Sequence, residues 1–463
     1  MRCPTCDSEY NDGLECCPHC QSPGLSVSQG NKPTIPDLIQ VLEEGKRDAR
    51  KQAAEALSKM GAPTSDELAA ALLETGKGAR AKVLEPFEDN RLSRIIAPPF
   101  EKYPGFRKRL LDTLIAIGEP SVGPLSQIVR EGHFSVRISA AWALAEIGEP
   151  SVDALDLLLK TDDRVVRELA SWSLARIKEP AIASLIDELG EENFRVRDAA
   201  KKALVKIGEP AVAPLIAALA GMNEEERAEA CGVLVDIGVP AVKQLIAALE
   251  SESPDVRRLA ARTLGDISTT ALAFIMRNIK VKLPPGFSKQ AIEFTLKQLM
   301  PRMEKAVVMA TKKVAGAYVP EWILSPILNA AVKGLKPASL FVISRFMPDL
   351  YQQLMNFILQ VRVPAARPLA ELLKDPDESV RLEAATSLGK IASPDTVDAL
   401  GECLIGDKSP AVRAVCADTL GKIGDTKALD PLEKAREKEK TKKVQENIVE
   451  AIRSIEKHSK SSR

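Results

Sequence analysis

The chain has 463 residues, 45% hydrophobic, 4% aromatic and 28% charged, and its 64 Lys and Arg are balanced by 64 Asp and Glu. A net charge of zero removes any global electrostatic case for nucleic acid or for an anionic membrane. No run of 18 apolar residues spans a bilayer and no signal peptide precedes the N-terminal cysteines. A cytoplasmic protein with protein partners is therefore expected.

Residues 1–24 hold Cys3-x2-Cys6 and Cys17-x2-Cys20, each knuckle with a proline after its first cysteine. Four thiolates suit tetrahedral Zn²⁺, and so short a segment has too little core to fold without metal. A redox dithiol pair and an iron site are the alternatives, with Cys16 and His19 as substitute ligands. The segment is similar to the small zinc ribbons at the N-termini of many bacterial and archaeal proteins. That resemblance implies a structural zinc held by Cys3, Cys6, Cys17 and Cys20. A closed shell of four thiolates leaves no open position for catalysis. Arg2 is its one cation against Asp7, Glu9, Asp12 and Glu15, which disfavours phosphate binding. Residues 25–34 read as a Ser/Gly/Pro linker.

From Ile35 to Ile267 the chain repeats itself. Arg50 opens a weak copy closed by Met60, and Arg80 falls in a poor copy broken by Pro86. RIIAPPFEKYPGF reads as an irregular loop, after which Arg107 restores the phase. Over 118–267 one 30-residue sentence is then written five times, marked by Pro120, Pro150, Pro180, Pro210 and Pro240 and by Arg137, Arg167, Arg197, Arg227 and Arg257. Each copy holds two apolar sets at helical spacing, for example Val152, Leu155, Leu158, Leu159 and then Val166, Ala170, Leu174, Ile177. Gly148 stands where the preceding helix needs a left-handed residue, and Pro150 starts the next helix. Asp163, Asn193, Asn223 and Ser253 stand four residues before an arginine as N-caps, whereas His133 is a poor cap. Each repeat is thus a helix pair, A then B, and neither helix buries its apolar face alone. Stacking must supply the partner.

The wording E-P-A-V-x-x-L-I-x-x-L followed by D-x-x-V-R-x-x-A-A-x-A-L-x-x-I resembles the HEAT family, and more closely the short HEAT-like repeats named from phycobilisome lyases. The fold class this implies is all-α: a HEAT-like α-solenoid preceded by a small zinc-ribbon module. Such repeats serve scaffolds, enzyme subunits and chromophore lyases alike.

Residues 268–362 change character. They carry six of the nine methionines, six of the eleven phenylalanines, and 13 Lys/Arg against four acids, a net of +9. Arg257 and Arg381 lie 124 residues apart, or four units of 31. That spacing predicts three diverged repeats continuing the stack. The alternative is an insertion that docks a partner or lies on a membrane surface. Regular wording returns over 363–463 with Arg381 and Arg413, capped by Asp377 and Ser409. It ends in a charged unit with Gln445 in the arginine slot, a polar C-terminal cap.

Three sets of residues are candidates for function. The arginines Arg107, Arg137, Arg167, Arg197, Arg227, Arg257, Arg381 and Arg413 border the core stripe on a helical wheel, which predicts a structural ladder bonded to neighbouring turns. Ile138, Trp142 and Ala145 lie opposite that stripe, as do Glu168, Trp172 and Ala175. The family resemblance places such B-helix faces on the concave side, so Ile138, Trp142, Glu168 and Trp172 are expected to be exposed partner-binding residues. The four cysteines are the third set. The histidines His19, His133 and His458 are scattered, and no catalytic set or phosphate loop is apparent. A non-enzymatic protein-interaction scaffold is the expected function. The alternatives are a phycobilin-lyase-like chromophore lyase, or a membrane-peripheral or nucleic-acid adaptor working through 268–362.

Overall fold

The computed structural model describes residues 33–77, 105–277 and 358–461. The four-cysteine segment, most of the linker, the Arg80 copy and residues 278–357 lie outside the described residues. Among the described residues there are twenty α-helices, linked mostly by single 3-10 turns, and no strand. The chain divides into two compact units, Met1–Ile207 and Gly208–Arg463.

The first unit contains α1 (Ile35–Glu44), α2 (Arg47–Met60), α3 (Ala62–Lys77), α4 (Gly105–Ile117), α5 (Val122–Glu131), α6 (Phe134–Ile147), α7 (Val152–Leu159), α8 (Arg164–Ile177), α9 (Ile182–Asp187) and α10 (Phe194–Ile207). The second contains α11 (Val212–Ala218), α12 (Glu224–Ile237), α13 (Val242–Ala248), α14 (Pro254–Arg277), α15 (Val363–Glu371), α16 (Glu378–Ile391), α17 (Val397–Gly406), α18 (Pro410–Ile423), α19 (Leu429–Lys438) and α20 (Lys442–Ser461). Odd-numbered helices are the A helices and even-numbered ones the B helices, so each unit holds five pairs.

Burial explains the stacking. Leu125, Leu155 and Leu185 of successive A helices are fully buried, as are Leu144, Leu174 and Leu204 of the B helices. In the second unit Leu215, Leu245, Leu369, Leu400 and Leu432 repeat the A position. Each such leucine contributes about 1.5–3 kcal/mol relative to exposure, which no isolated pair could collect. Local chemistry starts and stops the helices. Asp163 accepts the Val165 amide at 2.8 Å, and Asn223 and Glu226 form a reciprocal capping box. Asp377 and Ser409 cap α16 and α18, while His133 makes no side-chain cap bond.

Two packings among the described residues bear on the repeats. Helix α2 packs directly on α4 and α3 is the A helix of α4, while the Arg80 copy lies outside the described residues. The expected continuation of the stack through three further repeats between Arg257 and Arg381 is corrected, because the helices that carry these two arginines pack on each other. Helix α14 packs along α16, and α13 meets α15. Lys390 bonds Asp266 at 2.8 Å. At Gly265 the two helices come so close that a Cβ would lie 2.8–2.9 Å from the Ser387 side chain. Pair α15/α16 therefore follows pair α13/α14 in space, across a long interval of sequence. The factor of four in the arginine spacing was arithmetic; register is set by which turn an arginine can reach.

Between pairs, Gly118, Gly148, Gly208 and Gly238 take φ of +73 to +82° with ψ near −130°, a region that residues with side chains rarely adopt. Lys178 fills the same slot at φ +68° and ψ −120°. Such strain at a non-glycine residue costs about 1–3 kcal/mol, against about 0.5–1 kcal/mol of extra chain entropy for glycine. Lys178→Gly is expected to stabilise the first unit by about 1 kcal/mol, read as a higher Tm; an unchanged or lower Tm would contradict the strain.

Candidate interaction surface

The predicted arginines share one geometry. Each leaves a B helix and turns back to the carbonyls at the end of its own A helix, which lack intrahelical donors. Arg137 bonds the Gly132 carbonyl at 2.8 Å and also the Arg130 carbonyl. Arg167 reaches Thr161 at 2.7 Å, Arg197 reaches Glu191 at 2.6 Å, and Arg227 reaches Leu219 at 3.0 Å. Arg257, Arg381 and Arg413 bond Ser251, Asp375 and Asp407 carbonyls at 2.8–2.9 Å. Arg107 does the same across the Arg80 interval, meeting the carbonyl and hydroxyl of Thr75 at 2.9 and 3.0 Å.

In Arg137, Arg227, Arg257, Arg381 and Arg413 other N–H groups cross to the next pair. Arg137 meets Asp163 at 2.9 Å and Arg227 meets Asp255 at 3.1 Å. Arg257 holds Asp375 at 2.7 and 3.0 Å, Arg381 holds Asp407 at 2.7 and 3.3 Å, and Arg413 holds Glu439 at 2.7 and 3.1 Å. These three pairs are two-toothed, a geometry that the planar guanidinium offers and lysine does not. Gln445 ends the series with a neutral bond to the Glu439 carbonyl at 2.6 Å. Hydrogen bonding to Asp407 raises the pKa of Arg381, against the opposing effect of burial. Burial pushes Asp407 up, but the bonds from Arg381 and the Ser409 amide prevail and leave it low.

The tryptophan face differs from its expectation. Ile138 is 5% exposed and Ala145 7%, so neither faces solvent. Trp142 and Trp172 are half-buried, as is Glu168, which pairs with Arg164 at 3.0 Å. A B helix in a stack touches its own A helix and the B helices on both sides, so the side opposite its main stripe is partly covered too. Hydroxyls cross the same seam: Ser173 donates to the Ala141 carbonyl and Ser171 to the Ala199 carbonyl, both at 2.8 Å.

What does face outward is a plate of aromatic and cationic groups. Arg176 and Lys206 stand over the Trp172 ring, 5.9 and 5.7 Å from its centroid. Arg176 is held there by Glu146 of α6 at 2.9 Å. Lys206 makes no ion pair among the described residues, and burial, then the charge of Arg176, lower its pKa. Sequence reading missed these partners, although Glu146, Arg176 and Lys206 stand 30 residues apart in one register. The four N-terminal cysteines lie outside the described residues. Among the described residues no three His, Cys, Asp or Glu side chains gather as a metal site. No single described helix is long and apolar enough to cross a membrane.

Stacked A/B pairs with a repeated turn residue define an α-solenoid repeat protein. The family described as HEAT repeats matches residues 101–175, 153–221, 212–292 and 366–453, more than half of the chain. The chain belongs to the HEAT-repeat family. No curated protein matches it. Similar solved structures include human deoxyhypusine hydroxylase in complex with glycerol, at 16% identity over 73% of this chain and 97% of that one, TM-score 0.20. An engineered protein matches at 15% identity over 80% and 98%, TM-score 0.18. Kap121p bound to Pho4p matches at 12% identity over 92% and 60%, TM-score 0.24. At these TM-scores the likenesses carry no argument.

The ladder generates two predictions. Arg381 is 4% exposed and its partner carboxylate is as enclosed. Removing one member of such a pair costs about 3–5 kcal/mol, so Arg381→Ala should lower the unfolding free energy by that amount, read as a lower urea midpoint at unchanged m, and Arg381→Lys should recover only part of it. The bond from Arg413 brings the Glu439 carboxyl down from 4.5 to about 2, against a smaller effect of burial. Its stabilisation is then complete above about pH 4.5 and lost as pH falls towards 2. Glu439→Gln should flatten the acid slope of the unfolding midpoint between pH 5 and 2, leaving any slope above pH 5 unchanged.

Proposed function

We propose that the chain is a protein-interaction scaffold that does no chemistry on its partner, and that the partner seats on the B-helix side around Trp142 and Trp172. The observation that carries this reading is the Trp172 plate. A half-exposed aromatic ring lies beneath two cations, one of them, Lys206, without a counter-ion among the described residues. A ring of this kind gives contact area at low entropy cost, and an unpaired cation beside it favours a partner that brings a carboxylate. HEAT-repeat stacks are typical of such scaffolds.

Because both rings are half-buried, Trp142→Ala with Trp172→Ala will lower the melting temperature as well as weaken binding. Lys206→Glu is the cleaner probe. In affinity purification from native lysate with quantitative mass spectrometry, it is expected to reduce specific capture at least tenfold while helix content and Tm hold. Identical capture by the intact chain and the Lys206→Glu variant would remove this face from consideration.

We also propose that Cys3, Cys6, Cys17 and Cys20 hold one structural Zn²⁺. The support is the donor set itself: two C-x2-C knuckles in a segment too short for a core. Elemental analysis should give one zinc per chain, absent from Cys6→Ser with Cys20→Ser, with the far-UV helical signal retained. Zinc retained by that double variant would discard the ligand set.

A further inference from the structure

Cys403 of α17 and Cys416 of α18 lie 13 residues apart in the chain. The fold sets them together: the Cys416 thiol donates to the Cys403 sulfur with the two sulfurs 3.1 Å apart. Cys416 is 0% exposed and Cys403 8%. Cys403 nevertheless lines an open groove of about 400 Å³ that it shares with Arg381 and Asp407. One sulfur is therefore reachable by a small molecule and the other stands directly behind it. Both lie on helices of a single pair, so a bond between them asks for about 1 Å of further approach and no rearrangement of the stack.

We propose that Cys403 and Cys416 form a dithiol site that takes a low-molecular-weight aliphatic disulfide as its substrate and closes to a disulfide between α17 and α18. The Cys403 thiolate attacks one sulfur of R–S–S–R, forming Cys403–S–S–R and expelling RS⁻, which takes up the proton Cys403 has lost. The Cys416 thiol then gives its proton to solvent and attacks the Cys403 sulfur. The Cys403–S–R bond breaks, the second RS⁻ leaves and is protonated, and the Cys403–Cys416 bond remains. Two protein thiols are oxidised and one external disulfide is reduced to two thiols. The order follows from access and from the hydrogen bond, which makes Cys403 the acceptor; that bond and burial push the Cys416 thiol up, so it resolves and does not initiate. The closed bond would staple the A and B helices beside the Arg381–Asp407 rung.

The test treats the native full chain with 2-hydroxyethyl disulfide, alkylates the remaining thiols, digests with trypsin without reduction and maps the peptides. The peptides bearing Cys403 and Cys416 are expected as one cross-linked species, two hydrogens lighter than the sum of the free pair. Cys416→Ser should stop at a stable mixed disulfide on Cys403. In Cys403→Ser, Cys416 should react at least tenfold more slowly than Cys403 does in the intact chain. Cys231, held apart from any described thiol, is the internal control. Recovery of Cys403 and Cys416 both alkylated, or an intact chain that stops at the mixed disulfide, would overturn the proposal, and the wild-type map decides it even if a variant fails to fold.

Discussion

A guanidinium that leaves a B helix and satisfies the carbonyls at the end of its own A helix is the interaction shared by both units, and in the second unit it also bonds the pair that follows. Every A helix ends with carbonyls that have lost their intrahelical donors, and every pair needs a neighbour. One arginine answers both needs because its donors form a rigid fork, some turned back to the home carbonyls and some forward to a carboxylate. At Gln445 a neutral amide takes the arginine's place and still serves the home carbonyl.

Much of this architecture is local, and what is local can be read from the chain. The caps at Asp163, Asn223, Asp377 and Ser409 and the glycine slots at Gly118, Gly148, Gly208 and Gly238 each depend on a few adjacent residues. The wheel position of the arginines places them on the border of the core without knowledge of their partners. The neighbour of α14 is another matter, because nothing in periodicity says that a helix will skip ahead to Asp375.

The tryptophan face fails in a more instructive way. A helical wheel assumes one buried stripe, and a B helix in a stack has three neighbours. Ile138 and Ala145 are opposite the stripe and still enclosed, by the flanking B helices. What the wheel could not weigh is that Trp172 would be roofed by residues one turn on and one repeat on, Arg176 and Lys206. The pairing of Cys403 with Cys416 is not legible in the chain, because a spacing of 13 lies on no single helix face. They meet only when α17 folds back on α18.

The Arg257–Asp375 rung joins residues 118 positions apart, whereas the Arg381–Asp407 and Arg413–Glu439 rungs each span 26. Closing the longer loop costs about 1.3 kcal/mol more in chain entropy, and it raises the contact order of a protein whose other pairings are nearly nearest-neighbour. During synthesis α14 can meet α16 only after the residues between them have left the ribosome. The second unit then has a seam that zips late, and that interval is when its chain is most exposed to aggregation and most in need of a chaperone.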